Sequence, residues 1–281
     1  MRNFNLEPLG GGTGLRHPHF EAILEHRPPC NWFEVIVDDF LGGGRDIALL
    51  KEIRRHYPVI GHGVGLSIGS TDPLDHEYLR NIRRVLDAIG SPWYSDHLCF
   101  TMVDHTNLND LIPLPFTREA VDHVVHRVRV VQDILERPFL LENVTRYITV
   151  SDREMPEQEF LTTILERANC GLLLDVTNVY LNGQFHRFDP LEFIRSLPTE
   201  RVGQMHLSGW EPAADGRVVD SHDAPVPDAV WHLFEEVVQI TGPSSVLIER
   251  DDQLPPLTEL LAEATTADVA LRRACGGQRE A

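Results

Sequence analysis

The chain has 281 residues, 42% of them hydrophobic and 24% charged, enough apolar sequence to bury a core and too much for a disordered chain. Forty-three acidic against 25 basic side chains leave a net charge of −18, with Lys51 the single lysine; a general nucleic-acid binder, which needs a basic footprint, is excluded. No stretch approaches the ~18 consecutive apolar residues of a membrane span, and residues 1–10 lack the basic-then-apolar pattern of a secretory signal.

Short apolar segments alternate with longer amphipathic ones along the whole sequence. The apolar segments read as strands over 13–16, 32–37, 59–62, 93–97, 139–142, 172–175, 202–207 and 246–249, the first of them weakly patterned. Their Val, Ile, Leu and Phe content suits strands buried on both faces. Helical periodicity follows each one, over 18–25, 46–56, 74–89, 117–136, 157–168, 190–197, 228–240 and 257–270. In the fourth of these, Thr117 is placed to cap the helix start and Pro138 limits its far end. Eight strand–helix units are the count of a (β/α)8 TIM barrel, forming a single domain over 1–274 with a frayed tail at 275–281. A doubly wound open sheet uses similar units but usually fewer strands. Cys30, Cys99, Cys170 and Cys275 lie far apart and form no CxxC pair, as expected of reduced thiols in a cytoplasmic protein.

The ends of these strands carry the chemistry. Histidine closes 59–62 (His62) and 93–97 (His97), and His206 falls near the end of 202–207. Glutamate closes 139–142 (Glu142) and 246–249 (Glu249), and aspartate closes 172–175 (Asp175). In a parallel barrel all C-terminal strand ends meet at one mouth, where active sites are built. Asp220 and His222 in the loop after the seventh strand, and Asn178 just beyond Asp175, add to the set. Three carboxylates confined in an apolar pocket repel one another, and each costs several kcal/mol if left unpaired. Cations relieve that cost. Imidazole with carboxylate and no thiolate fits Fe, Mn or Zn better than Ca, Mg or Cu(I).

Each residue alone has a plainer reading. A strand-end histidine is often a packing residue, Glu142 could pair with Arg146, Asp175 could cap the next turn, and Asp220 with His222 could be exposed. Their joint fall at one end of successive strands argues for a metal site. Other features argue for less. His123 and His126, three apart on a helix, read as a solvated face, and His17, His19, His26, His56, His76, His105, His186 and His232 mostly as surface residues. Gly10–Gly14 lacks the Gly-Lys-Ser/Thr ending of a phosphate loop and reads as a flexible lead-in to the first strand.

The motifs around these ligand candidates are long and ordered. His62-Gly63-Val64-Gly65-Leu66-Ser67, Ser95-Asp96-His97-Leu98-Cys99, Leu141-Glu142-Asn143-Val144, Leu174-Asp175-Val176-Thr177-Asn178, His206-Leu207-Ser208-Gly209, Asp220-Ser221-His222-Asp223-Ala224-Pro225 and Leu247-Ile248-Glu249 run over nearly the whole chain. Together they resemble the multinuclear non-haem iron-dependent oxidative enzymes, a family that includes the methanobactin-biosynthesis iron enzyme. The resemblance implies a TIM barrel holding two or three iron ions, Fe(II) and Fe(III), with O2 as co-substrate. It implies oxidative modification of a cysteine in a ribosomally synthesised precursor peptide, and a small partner protein that recognises the peptide leader. It also implies His62, His97, Glu142, Asp175, Asn178, His206, Asp220, His222 and Glu249 as ligands, with Glu142 as a bridge. Many relatives follow the last glutamate with Trp-Asp, whereas this chain reads Glu249-Arg250-Asp251-Asp252. That departure is reminiscent of the branch that excises the β-carbon of a C-terminal cysteine to make 3-thiaglutamate. Two other classes share the residue pattern: a divalent-metal isomerase or phosphodiesterase of the xylose-isomerase-like barrels, and a non-catalytic metal-dependent peptide-binding module.

Overall fold

Strand β1 (Gly11–Gly14) is built almost wholly of glycine, where the sequence reading placed a flexible lead-in and a strand start two residues later. Space explains the composition. A Cβ on Gly11 would lie 2.1 Å from the Ala264 carbonyl oxygen, and one on Gly12 would lie 2.6 Å from the Trp32 indole. The backbone is pressed between the C-terminal helix and the barrel interior, and only glycine fits. Gly11→Ala is expected to destabilise the fold by about 1–3 kcal/mol through overpacking, read as a lower urea midpoint; an unchanged midpoint would show that this contact is loose.

The structure, a computed structural model, describes residues 6–149, 153–211 and 218–276. After β1 come α1 (Phe20–His26), β2 (Phe33–Ile36), α2 (Arg45–Arg54), β3 (Val59–Gly63), α3 (His76–Ile89) and β4 (Tyr94–His97). A hairpin of β5 (Cys99–Val103) and β6 (Thr106–Pro113) precedes α4 (Arg118–Leu135) and β7 (Phe139–Glu142). Then follow α5 (Glu157–Ala168), β8 (Gly171–Asp175), α6 (Val176–His186), α7 (Pro190–Arg195), β9 (Val202–Leu207), α8 (Asp228–Thr241), β10 (Ser245–Ile248) and α9 (Leu257–Gly276). Helix α9 thus runs two residues into the expected tail, whose remainder, 277–281, lies outside the described residues.

Eight parallel strands close a barrel in the order β1, β2, β3, β4, β7, β8, β9, β10 and back to β1. The TIM-barrel expectation holds. The hairpin and α6 are additions that periodicity did not reveal. The hairpin strands pair only with each other, and no described helix is long and apolar enough to cross a membrane.

Strand alternation fills the barrel in layers. Trp32, Ile60, Trp93, Leu140, Leu173 and Leu247 form one buried apolar cluster. Two residues further along the same strands come Glu34, His62, Ser95, Glu142, Asp175 and Glu249, all buried. An apolar plug therefore closes the barrel directly beneath a polar layer, and the pleat alone puts the ionisable side chains at the mouth.

Candidate metal centre

Eight of the nine ligand candidates meet at this mouth, Asn178 being the exception. His62, His97 and Glu142 bring donor atoms within 4.8 Å of one another; so do Glu142, Asp175, His206 and Glu249; so do His222, Glu249 and Asp251. Glu142 belongs to the first two groups and Glu249 to the last two, so two shared carboxylates join three clusters into a chain. Nε2 of His62 and Nε2 of His97 each lie 3.4 Å from the same Glu142 oxygen. His206 Nδ1 stands 3.3 Å from the other Glu142 oxygen and 3.0 Å from Glu249.

The atoms that face inward lack hydrogen-bond partners. His62 Nε2, Glu142 Oε2, Asp175 Oδ2, His206 Nδ1, Asp220 Oδ1, His222 Nε2 and Glu249 Oε2 are all buried without a well-aligned hydrogen bond, although His206 meets Glu249 and His222 meets Asp220 at ion-pair distance. Orphaned polar atoms are rare in folded proteins because each costs about 1–3 kcal/mol. Their convergence, with imidazole and carboxylate donors only, fits a site built for metal cations. Glu142, Asp175, Asp220 and Glu249 together supply the charge to balance two divalent ions.

The outward atoms of the same side chains are anchored. Ser95 Oγ lies 2.9 Å from His62 Nδ1. Glu34 lies 3.0 Å from His206 Nε2 and accepts at 2.5 Å from the Gln204 amide, whose oxygen accepts from the Trp93 indole at 2.8 Å. Asp251 lies 2.9 Å from His222 Nδ1 and pairs with Arg16 at 2.5 Å. Such partners fix which ring nitrogen carries the proton and raise the basicity of the ligand nitrogen. The sequence reading missed Glu34 and Asp251. Their signals were a lone acid inside the apolar Phe33–Ile36 and a second acid two residues after Glu249. Glu34→Gln is expected to weaken metal binding about 10- to 100-fold with the fold retained, measured by chelator competition; unaltered affinity would reduce Glu34 to a packing role.

Asp175 both caps and faces the site. Oδ1 accepts from the Asn178 amide at 2.6 Å at the start of α6, leaving Oδ2 turned inward. Asn178 is itself committed: its oxygen meets the Thr145 hydroxyl and its amide donates to the Asn143 carbonyl at 3.0 Å. Asp220 Oδ1 lies 2.9 Å from His222 Nε2, and its other oxygen is 3.1 Å from Thr145. Arg146 pairs with Glu157 at 2.5 Å, so Glu142 is not its partner.

The charges shape the titration. Burial, reinforced by Glu142 and Asp220, holds the Asp175 carboxyl well above the usual range. Burial and the neighbouring His97 and His206 push His62 well below the ordinary imidazole value. Burial disfavours a charged His206, but Glu34, Glu249 and Glu142 outweigh it and raise it well above that value. Burial works against an ionised Glu249 too, yet His206 and His222 draw it down to about 2.

Outside the centre, His19 is buried rather than superficial, with Nε2 3.1 Å from the Pro255 carbonyl. His123, expected on a solvated face, is half-buried and holds the Ser70 carbonyl at 2.8 Å, while His126 is exposed. Cys99 is buried as packing.

Solved structures of other proteins share the barrel fold. L-ribulose 3-epimerase superposes with a TM-score of 0.63 at 14% identity, covering 99% of this chain and 95% of the other. D-allulose 3-epimerase from Methylomonas sp. gives 0.59 at 18% identity, covering 95% and 97%. Sequence relatives lie far nearer. A UPF0276 protein of Caulobacter vibrioides is 43% identical over 277 residues, 98% of each chain. One of Anaeromyxobacter sp. is 46% identical over 266 residues, 94% of this chain and 93% of the other. Residues 10–272 match the family described as "RiPP precursor modification enzyme MbnB/TglH/ChrH", where RiPP denotes a ribosomally synthesised, post-translationally modified peptide. With the strand-end motifs all in place, the chain belongs to the MbnB/TglH/ChrH family.

Proposed function

We propose that this protein is an iron-dependent, O2-dependent enzyme that oxidatively modifies a cysteine residue of a ribosomally synthesised precursor peptide. The observation that carries the reading is the chain of three donor clusters joined by Glu142 and Glu249, whose inward atoms lack well-aligned hydrogen bonds. Two or three ions fit such a chain. His62, His97 and Glu142 would hold one, Glu142, Asp175, His206 and Glu249 the next, and Glu249 with His222 a third, completed either by Asp251 or by Asp220, which meets the other His222 nitrogen, with Asn178 at the margin. Bound iron, exchanging between Fe(II) and Fe(III), supplies redox chemistry and a ligand position for the substrate thiolate, with O2 as oxidant.

The chain itself fixes geometry and excludes water. Ser95, Glu34 and Asp251 hold the outer nitrogens of His62, His206 and His222, so the inner nitrogens stay available to metal. The plug of Trp32, Trp93, Leu140 and Leu173 closes the barrel below and shields reactive species from bulk water. Recognition of the peptide leader would fall to a separate small partner protein. β-Carbon excision from a C-terminal cysteine is the outcome the Glu249-Arg250-Asp251 segment favours within this reading.

Iron-loaded protein incubated in air with cysteine-containing precursor peptides, alone and with candidate partner proteins, should give a mass shift that fails under anaerobic conditions. Loss of a single carbon identifies excision, and loss of hydrogens alone a ring-forming oxidation. Turnover without O2, or epimerisation of a ketose, would replace the proposal with the isomerase reading. Peptide binding with no turnover in air would replace it with the binding-module reading.

A further inference from the structure

Beside the metal centre lies a cavity of about 640 Å³, which Asp220 alone of the ligand candidates lines. One wall is the β3–α3 loop, residues 64–75; the other is the β5–β6 hairpin. Thr145 and Asp220 line its inner end, so it opens onto the metal-facing side chains. Its volume falls within the range of sites that enclose a small ligand or part of a larger one.

Its lining is electrically one-sided. Asp38, Asp72, Asp75 and Asp110 face it in addition to Asp220, against the single cation Arg127. These four aspartates are fixed by neutral donors instead of cations. Asp38 accepts from the Tyr78 hydroxyl at 2.6 Å and the Val64 amide at 3.0 Å. Asp72 accepts from the Asp104 and His105 amides, at 3.1 and 2.9 Å, tying the hairpin turn to the loop. Asp75 caps α3, and Asp110 accepts from the Leu111 amide at 2.8 Å. None forms an ion pair with a described Lys or Arg.

Arg127, buried on α4, is committed to the same loop: it donates to the Asp72 and Ser67 carbonyls at 2.7 and 3.2 Å. The one cation of the lining is therefore spent on holding the cavity wall and leaves the aspartates without a partner charge. Carboxylates grouped in a cleft focus their field and draw in the opposite charge.

We propose that this cavity seats the peptide segment beside the modified residue and selects a basic side chain, Lys or Arg, in that segment. The proposal rests on the peptide-modifying reading of the centre, and its test separates the two. Three fluorescein-labelled dodecapeptides, each with one central cysteine flanked by Lys and Arg, by Gln, or by Glu and Asp, are titrated against iron-loaded protein without O2, by anisotropy. The basic peptide should bind at least about fivefold tighter than the neutral one, and the acidic peptide weakest. Asp72→Asn and Asp110→Asn should each lower affinity for the basic peptide about two- to fivefold, leaving the neutral peptide and the iron content unchanged.

A serine-for-cysteine form of the basic peptide distinguishes the failures. If it keeps the charge preference and binds as tightly as the cysteine form, the cavity proposal stands and thiolate recognition by the centre falls. Equal affinity for all three peptides, or unchanged basic-peptide binding in both variants, overturns the cavity proposal. So does displacement of the basic peptide by calcium at matched ionic strength, which would make the cavity a cation site.

Discussion

Glu142→Ala is expected to strip metal from two of the three clusters and lower turnover by roughly two to four orders of magnitude. The magnitude follows from the cost of about 3–5 kcal/mol for removing one partner from a buried set of charges, which converts at about 1.4 kcal/mol per tenfold. Glu142 is the common neighbour of His62, His97 and His206, so a single substitution there opens contacts in two clusters at once. The readouts are metal content after dialysis and peptide turnover. Glu142→Gln, which keeps the shape and loses the charge, should fall near the alanine variant. Full metal content with wild-type turnover in both would remove Glu142 from the centre.

Chelation should lower stability and reverse the sign of its pH dependence. Ligand-free protein forgoes about 4 kcal/mol if metal is normally present at a thousand times its dissociation constant, a fall in Tm on the order of 10 °C. The sign follows from the buried groups. His206 and His222 are raised well above 6.5 in the metal-free protein, through their carboxylate neighbours and against the pull of burial. Their stabilisation is complete below 6.5 and lost as pH rises through the raised values. Asp175, held up chiefly by burial and then by Glu142, adds a loss that accrues from 3.8 upward and is complete once its raised value is passed. Both effects make the chelated protein less stable as pH climbs above 6.5. Metal needs the same nitrogens deprotonated, so the loaded protein gains over that window. Thermal melts at several pH values, with and without chelator, should slope in opposite directions. Parallel slopes would mean that these groups do not bind metal.

The barrel was legible in eight apolar segments each followed by a helical one, and the site in the six strands that end in the residue types the mouth requires. The run of apolar residues gives the strand, and the pleat fixes which way its last residue points. Failures came where local pattern and tertiary demand part company. Gly11 and Gly12 carry no strand propensity, and only the closeness of Ala264 and Trp32 makes them strand. Helix α6 has no solvated stripe over its first turns, where Val176, Thr177, Asn178 and Val179 are all buried, so helical contrast is lost. The hairpin turns at Asp104-His105, both at positive φ of 49° and 59°, without the Asn-Gly or Asp-Gly that announces such turns. At the site, the ligand set could be read from strand ends, whereas Glu34 and Asp251 act on the far sides of the rings. No spacing rule marks a residue whose partner is another side chain's second nitrogen.

The hairpin lies outside the hydrogen-bond ladder that closes the barrel, paired only strand to strand and tied to the β3–α3 loop through Asp72. Its length and side chains can therefore change without disturbing a single strand that carries a metal-facing group. Descent with modification can rewrite the substrate wall while the reactive centre is inherited intact, so relatives with the same strand-end residues can diverge in the peptides they accept.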